Sequence, residues 1–187
     1  MTLSALRTLD CAVFLAQELP EWLRRVPSPD GVSRRFAGSF EDPDWATFMK
    51  RHAIGTSNAA VGGGVWVSLM GAPNQYTGML GGGGSFVVPA QFRARIAVQN
   101  LNQIAGMDDG LRLEWAKYLY AIHDAAYAFP CSSLEAKTGG TYMNDEGGIA
   151  PVAQESHTVR SQRLEQKDPA LFTFDITYEF ALHVYDQ

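Results

Sequence analysis

The chain is poor in the features that usually announce a function. Its 187 residues include two cysteines, too few for a disulfide framework. The expectation is two buried thiols, Cys11 and Cys131, in a reducing cytosol. No run approaches ~18 uninterrupted apolar residues, so no membrane-spanning helix is expected. Arg7, Asp10 and Glu18 interrupt the apolar positions of the first segment, so nothing there reads as a secretory signal. Charged residues make up 19% of the chain, against about 25% in an average soluble domain. Net charge is −5 and the isoelectric point is about 5.3. An acidic chain is a poor general binder of nucleic-acid phosphates. The shortage of charge points to a protein that buries surface against partners.

Chemical motifs are equally sparse. Of the four histidines, His52, His123, His157 and His183, none stands three to five residues from another or from a cysteine, so there is no zinc spacing. HExxH, GxSxG and GxxxxGK patterns are missing. Gly62–Gly63–Gly64 enters a strand, and Gly81–Gly84 leads into Phe86–Val87–Val88. A phosphate cradle needs a strand before the glycines and a helix N-terminus behind them, so both runs read as flexible or tightly turning segments. The carboxylate pairs Glu41/Asp42 and Asp145/Glu146 read as solvated loop residues. Arg160, Arg163 and Lys167 read as an exposed sheet face or as half of an intersubunit salt bridge. No catalytic residue, cofactor or metal ligand is expected.

Hydrophobic patterning is the strongest signal present. With 46% hydrophobic and 11% aromatic residues the chain can build one core, and residues 1–187 read as a single domain. Leu6, Leu9, Val13 and Ala16 share one face of a helix from about Ser4 to Leu19, with Pro20 marking a break or kink. Phe36 and Phe40 suggest a short strand, and Asp42–Pro43–Asp44–Trp45 opens a short helix toward Arg51. Val65, Val67 and Leu69 alternate with Trp66, Ser68 and Met70. Phe92, Ala94, Ile96 and Val98 alternate with Arg93, Arg95 and Gln99. These two strands form a hairpin with a long tip, Gly71 to Gln91.

A helix follows from about Asp108 to Phe129, with an apolar stripe through Leu111, Trp115, Tyr118, Leu119, Ile122, Ala126 and Phe129. Residues 131–154 read as a second long loop, and a strand is expected near His157–Glu165. The last strand, Phe172 to Tyr185, keeps a strict period of two and would extend about 43 Å, against ~17–20 Å for a typical strand. Such a strand is expected to outrun its own sheet or bend within it, with an exposed edge suited to pairing with another subunit. The fold class is therefore α+β: a single mostly antiparallel sheet with two main helices on one face. The expected order is helix–hairpin–helix–hairpin, with long loops at about 71–91 and 131–154.

This order resembles the tail terminator proteins of tailed bacteriophages. The segments that carry the resemblance are Leu3–Leu23, Val65–Met70, Phe92–Asn100, Leu111–Phe129 and Phe172–Tyr185. The resemblance implies a homohexameric ring in the neck of the virion, assembled in the host cytoplasm. Such a ring stops growth of the tail tube, binds the tail tube protein and offers a surface to the head–tail connector protein. DNA passes through its lumen without sequence-specific binding, and no membrane is involved. The loops Gly71–Gln91 and Cys131–Gln154 would be the contacting arms. An acidic lumen suits this role, because it lets a duplex slide.

Three alternatives stand beside this reading. One is another neck or tail component, such as a tail-completion protein or a tube subunit, which differs in stoichiometry because a tube polymerises indefinitely. Another is a small α+β enzyme using His123, Asp124 and Glu114. Glu114 and His123 lie about 900° apart around a helix and so on opposite sides. The third is a monomeric binding module that recognises its ligand through glycine-rich loops.

Overall fold

The computed structural model describes residues 3–55, 60–70, 79–80, 85–99, 109–129, 149–151 and 171–185. Within them lie helix α1 (Leu3–Leu23), strand β1 (Arg35–Ser39), helix α2 (Trp45–Arg51), and strands β2 (Val61–Leu69), β3 (Met79–Leu80) and β4 (Ser85–Gln99). Helix α3 (Asp109–Tyr127) follows, then strands β5 (Ile149–Pro151) and β6 (Leu171–Tyr185). The protein is α+β. Its sheet runs in the order β1-β2-β4-β6-β5, with β3 also paired to β4.

Antiparallel pairing joins β2 to β4, β4 to β6 and β6 to β5. The sheet is nonetheless mixed, because β1 runs parallel to β2 with α2 as the crossover. The sequence reading had β1 and α2 as short elements without a place in the sheet. A five-residue strand with Gly38 near its end carries too little alternation to declare its partner.

Strand β4 is longer than the sequence suggests. It starts at Ser85, inside the expected loop 71–91, and β3 also lies in that interval. Pro89 and the preceding glycines hide a strand from propensity, yet Pro89 sits opposite Ala181 in the β4–β6 ladder. Because β4 pairs with β6 from Leu171 to Tyr185, β6 does not outrun its sheet. Similarly, β5 occupies residues 149–151 of the expected loop 131–154 and pairs with β6 at Phe180–Leu182. Gly81–Gly84, Cys131, Asp145, Glu146 and the 157–167 segment lie outside the described residues.

One face of the sheet carries the main core. Val65, Val67, Phe92, Ala94, Ile96, Val98, Phe174, Ile176 and Tyr178 meet Leu15 and Leu19 of α1 and Trp115 and Ile122 of α3. On α3 the buried residues are Trp115, Tyr118, Ile122 and Ala126, which recur at three and four as the stripe requires. On α1 the buried side is Cys11, Ala12, Leu15, Ala16, Leu19 and Leu23, whereas Leu9 is largely exposed. The expected stripe through Leu9 and Val13 is thus rotated. Helix α1 is apolar around much of its girth, and only its neighbours select the buried side.

Helix α1 also runs through Pro20 to Leu23. Pro20 has no N–H to give the Ala16 carbonyl, and β1 passes close at that point. A Cβ on Gly38 would fall 1.8 Å from the Ala16 oxygen and 2.7 Å from Pro20 Cγ. Two hydrogen bonds tie the helices down: the Trp22 indole N–H donates to the Ala125 carbonyl at 2.8 Å, and the Tyr178 hydroxyl donates to the Ala126 carbonyl.

Candidate functional site

The second face of the sheet is covered at one end by α2. Asp44 caps that helix: its carboxylate accepts from the Thr47 N–H at 2.8 Å and from the Thr47 hydroxyl at 3.0 Å. The Thr47 N–H bond holds the Asp44 carboxyl below the usual range. The helix lays Phe48 over Gly64, where a Cβ would fall 2.7 Å from the ring. Ala37, Ile54 and Ala97 complete this small cluster, with Trp45, Met49 and Trp66 against it.

Beyond α2 the face turns polar. Trp66, Arg95 and Asp175 stand opposite one another across β2, β4 and β6. Arg95 donates twice to Asp175, from Nε at 2.8 Å and Nη2 at 2.9 Å. These bonds push the Arg95 pKa up. Its guanidinium carbon also lies 5.7 Å from the centre of the Trp45 ring. With its edge on Asp175 and its flat side on Trp45, Arg95 fixes β4 against β6 and α2 against both. The next row is Ser68, Arg93 and Thr177. On the other side of the Arg95 row, the buried Gln99 amide and Thr173 hydroxyl have no hydrogen-bond partner among the described residues.

The edges of the sheet follow from strand register. The Met70 N–H donates to the Gln91 carbonyl at 2.9 Å, so Met70 forms a hydrogen-bonded pair with β4. Leu69, the residue before it, therefore turns its main-chain groups away from β4. On that outer side β1 stops at Ser39, opposite Trp66, and no described strand covers Leu69. At the opposite edge, β5 covers only Phe180–Leu182 of β6. Among the described residues, the sheet is thus three strands wide at the level of Leu69, Phe92 and Tyr178, and open on both sides.

A cleft of about 420 Å³ lies beside the β2 edge, lined by Leu9, Ala12, Phe40, Val67, Leu69 and Phe92, with Asp42 and Trp66 also on its wall. The sequence reading left Asp42 as a solvated loop carboxylate. The structure buries its side chain completely, with Arg51 Nη1 at 2.9 Å and His52 Nε2 at 3.7 Å. The Trp66 indole N–H donates to the Asp42 carbonyl at 3.1 Å. Arg51 and His52 stand at the far end of α2 from Asp42. Sequence spacing does not show this meeting, because it depends on how the 40–44 turn folds back along the helix.

The set His123, Asp124 and Glu114 does not come together as a unit. His123 Nδ1 is 3.2 Å from Asp124 Oδ1 and its ring meets Phe174 edge-on at 5.2 Å. Glu114 instead accepts from Lys117 at 2.7 Å. Among the described residues, no group of three or more His, Cys, Asp or Glu side chains is placed to hold a metal ion, and no helix is long and apolar enough to cross a membrane. Gly62, Gly63 and Gly64 all lie within β2. A Cβ on Gly63 would fall 2.0 Å from the Ala97 carbonyl oxygen, so this glycine serves close strand packing. No protein-family model matches the chain, and no curated protein matches it.

Proposed function

We propose that the chain is a structural protein of a tailed-phage neck, resembling a tail terminator that closes the tail tube as a ring and joins it to the head connector. The observation that carries this reading is the sheet whose described strands leave both edges open at one level. Two unlike edges on one subunit allow head-to-tail strand pairing, and a head-to-tail contact whose rotation closes makes a ring. The resemblance rests on a helix–hairpin–helix–hairpin order, and α1, the β2–β4 hairpin, α3 and β6 support it. In this reading the partners are copies of the chain, the tail tube protein and the connector protein. DNA passes through the lumen unread, the chain does no catalysis, and it resides in the virion.

Light scattering with negative-stain imaging tests the proposal. The expected result is a discrete ring of about six subunits that binds the end of isolated tail tubes. A monomer that leaves tube growth unchanged overturns it. The cleft beside Leu69 favours a second reading, a monomeric binding module. That reading predicts a monomer whose tryptophan emission changes on binding an extended peptide, through Trp66 on the cleft wall.

A further inference from the structure

The turn that leads into α2 hides a carboxylate. The Asp42 side chain is completely shut off from solvent, and among the described residues neither of its oxygens accepts a well-aligned hydrogen bond. A carboxylate buried in this way depends on nearby cations to offset the water it has lost. Two stand close, both at the end of α2: Arg51 Nη1 at 2.9 Å and His52 Nε2 at 3.7 Å. Arg51 is always charged, but its side chain is 56% exposed, so water screens it. His52 is the more enclosed of the two, and it is a cation only when protonated.

The imidazole is held in place by its own helix. Its ring packs on Phe48, centre to centre 4.9 Å. Its main-chain N–H donates to the Phe48 carbonyl at 3.1 Å, which makes His52 the last cap of α2. The carbonyl end of a helix favours a positive charge. Charged neighbours act in both directions: Asp42, across the turn, favours a protonated ring, and Arg51, on the same helix, opposes it. On the strand side the turn meets a neutral group, the Trp66 indole, which donates to the Asp42 carbonyl at 3.1 Å.

We propose that residues 40–44 form a pH-sensitive strap, clamped to the end of α2 when His52 is protonated and loosened when it is neutral. Phe40, Asp42 and Pro43 of this turn line the cleft beside β2, so the strap sets one wall of that cleft. In acid the buried carboxylate faces two cations. Above the range in which imidazoles titrate, about pH 5 to 8, it keeps Arg51 alone. A histidine that gains an anionic partner on folding contributes stability on the acid side of that range and loses it as pH rises. The clamp is made of contacts within the chain, whatever else lies against the cleft, and it is the same in a ring or in a monomer.

The test is a series from about pH 5 to 8 on the full chain, read by thermal melts and by the Trp66 indole N–H resonance, assigned with Trp66→Phe. As pH rises, the melting temperature of wild-type protein should fall by about 2–4 °C more than that of His52→Gln. The indole resonance should shift over the same range in the wild type and stay still in His52→Gln. Asp42→Asn removes the anion and should also abolish the shift. Where that variant fails to fold, Arg51→Gln gives the second reading: it leaves His52 as the one cation at the carboxylate and should enlarge the pH effect. Equal pH dependence in wild type and His52→Gln overturns the proposal, as does an indole resonance that does not move in the wild type. A pH effect that Arg51→Gln leaves unchanged or diminishes also overturns it.

Discussion

Strand β4 turns its two sides to different surroundings. Phe92, Ala94, Ile96 and Val98 are buried beneath the core that α1 and α3 build. Between them, Arg93 and Arg95 point to a face that α2 covers only at one end, where ion pairs and tryptophans replace aliphatic packing. The apolar face gains its stability from area removed from water, which is nondirectional. The polar face contributes less energy but more geometry, since a bidentate guanidinium–carboxylate pair tolerates little displacement. The comparison suggests a division of labour: one side holds the sheet together and the other fixes its register.

Substitutions can break that comparison. Phe174→Ala, on the sealed face, should cost about 3–5 kcal/mol in urea denaturation. Trp45→Ala, on the half-covered face, should cost clearly less; equal losses would mean the two faces are energetically alike. Gly38→Ala comes next, because its methyl must displace either the Ala16 carbonyl or β1 itself. A loss of about 1–3 kcal/mol is expected, and an unchanged melting temperature would show that α1 and β1 are not in such close contact.

The sealed side also has an ion pair at its margin, and this gives a pH test. Arg34 is buried, lies over the Trp115 ring at 5.6 Å and binds Asp30 through both carboxylate oxygens. The hydrogen bonds from Arg34 hold the Asp30 carboxyl far below its ordinary value. A depressed carboxyl favours the folded state above the unfolded-state pKa, near 4, and that contribution fades as pH falls below it. Thermal melts should therefore show stability declining below about pH 4, with a shallower acid slope and a lower neutral-pH melting temperature in Asp30→Asn. Parallel acid slopes for the two proteins would remove Asp30 from the account. Burial likewise pushes the Tyr118 hydroxyl up to about 12, so its ionisation in an ultraviolet titration should come well above the ordinary tyrosine value of about 10.

The smallest effect belongs to the polar face. A double-mutant cycle on Arg95→Ala and Asp175→Ala should return a coupling of about 1 kcal/mol or less, because both side chains are partly exposed. A coupling of several kcal/mol would make this face an equal partner in stability.

Much of this was legible from the residues, unevenly. Trp115, Tyr118, Ile122 and Ala126 declare α3, and Phe172, Phe174, Ile176 and Tyr178 declare β6, because each keeps its period over many residues. Asp44 before Trp45 announces the start of α2 by capping chemistry alone. The parallel β1–β2 pair, the start of β4 at Ser85 and the burial of Asp42 were not legible. Each depends on a contact between distant segments rather than on a local preference.

The candidate surface depends on such contacts too. Among the described strands the edge at Leu69 is bare because β1 stops at Ser39 and Met70 bonds to Gln91. By itself, then, the sequence determined that α3 is a helix, that β6 is a strand and which side of β6 is apolar, since side-chain periodicity is a local property of the backbone. The tertiary structure alone decided which side of α1 is buried, which strands are neighbours and which edges the described strands leave open, because those depend on what packs against each element.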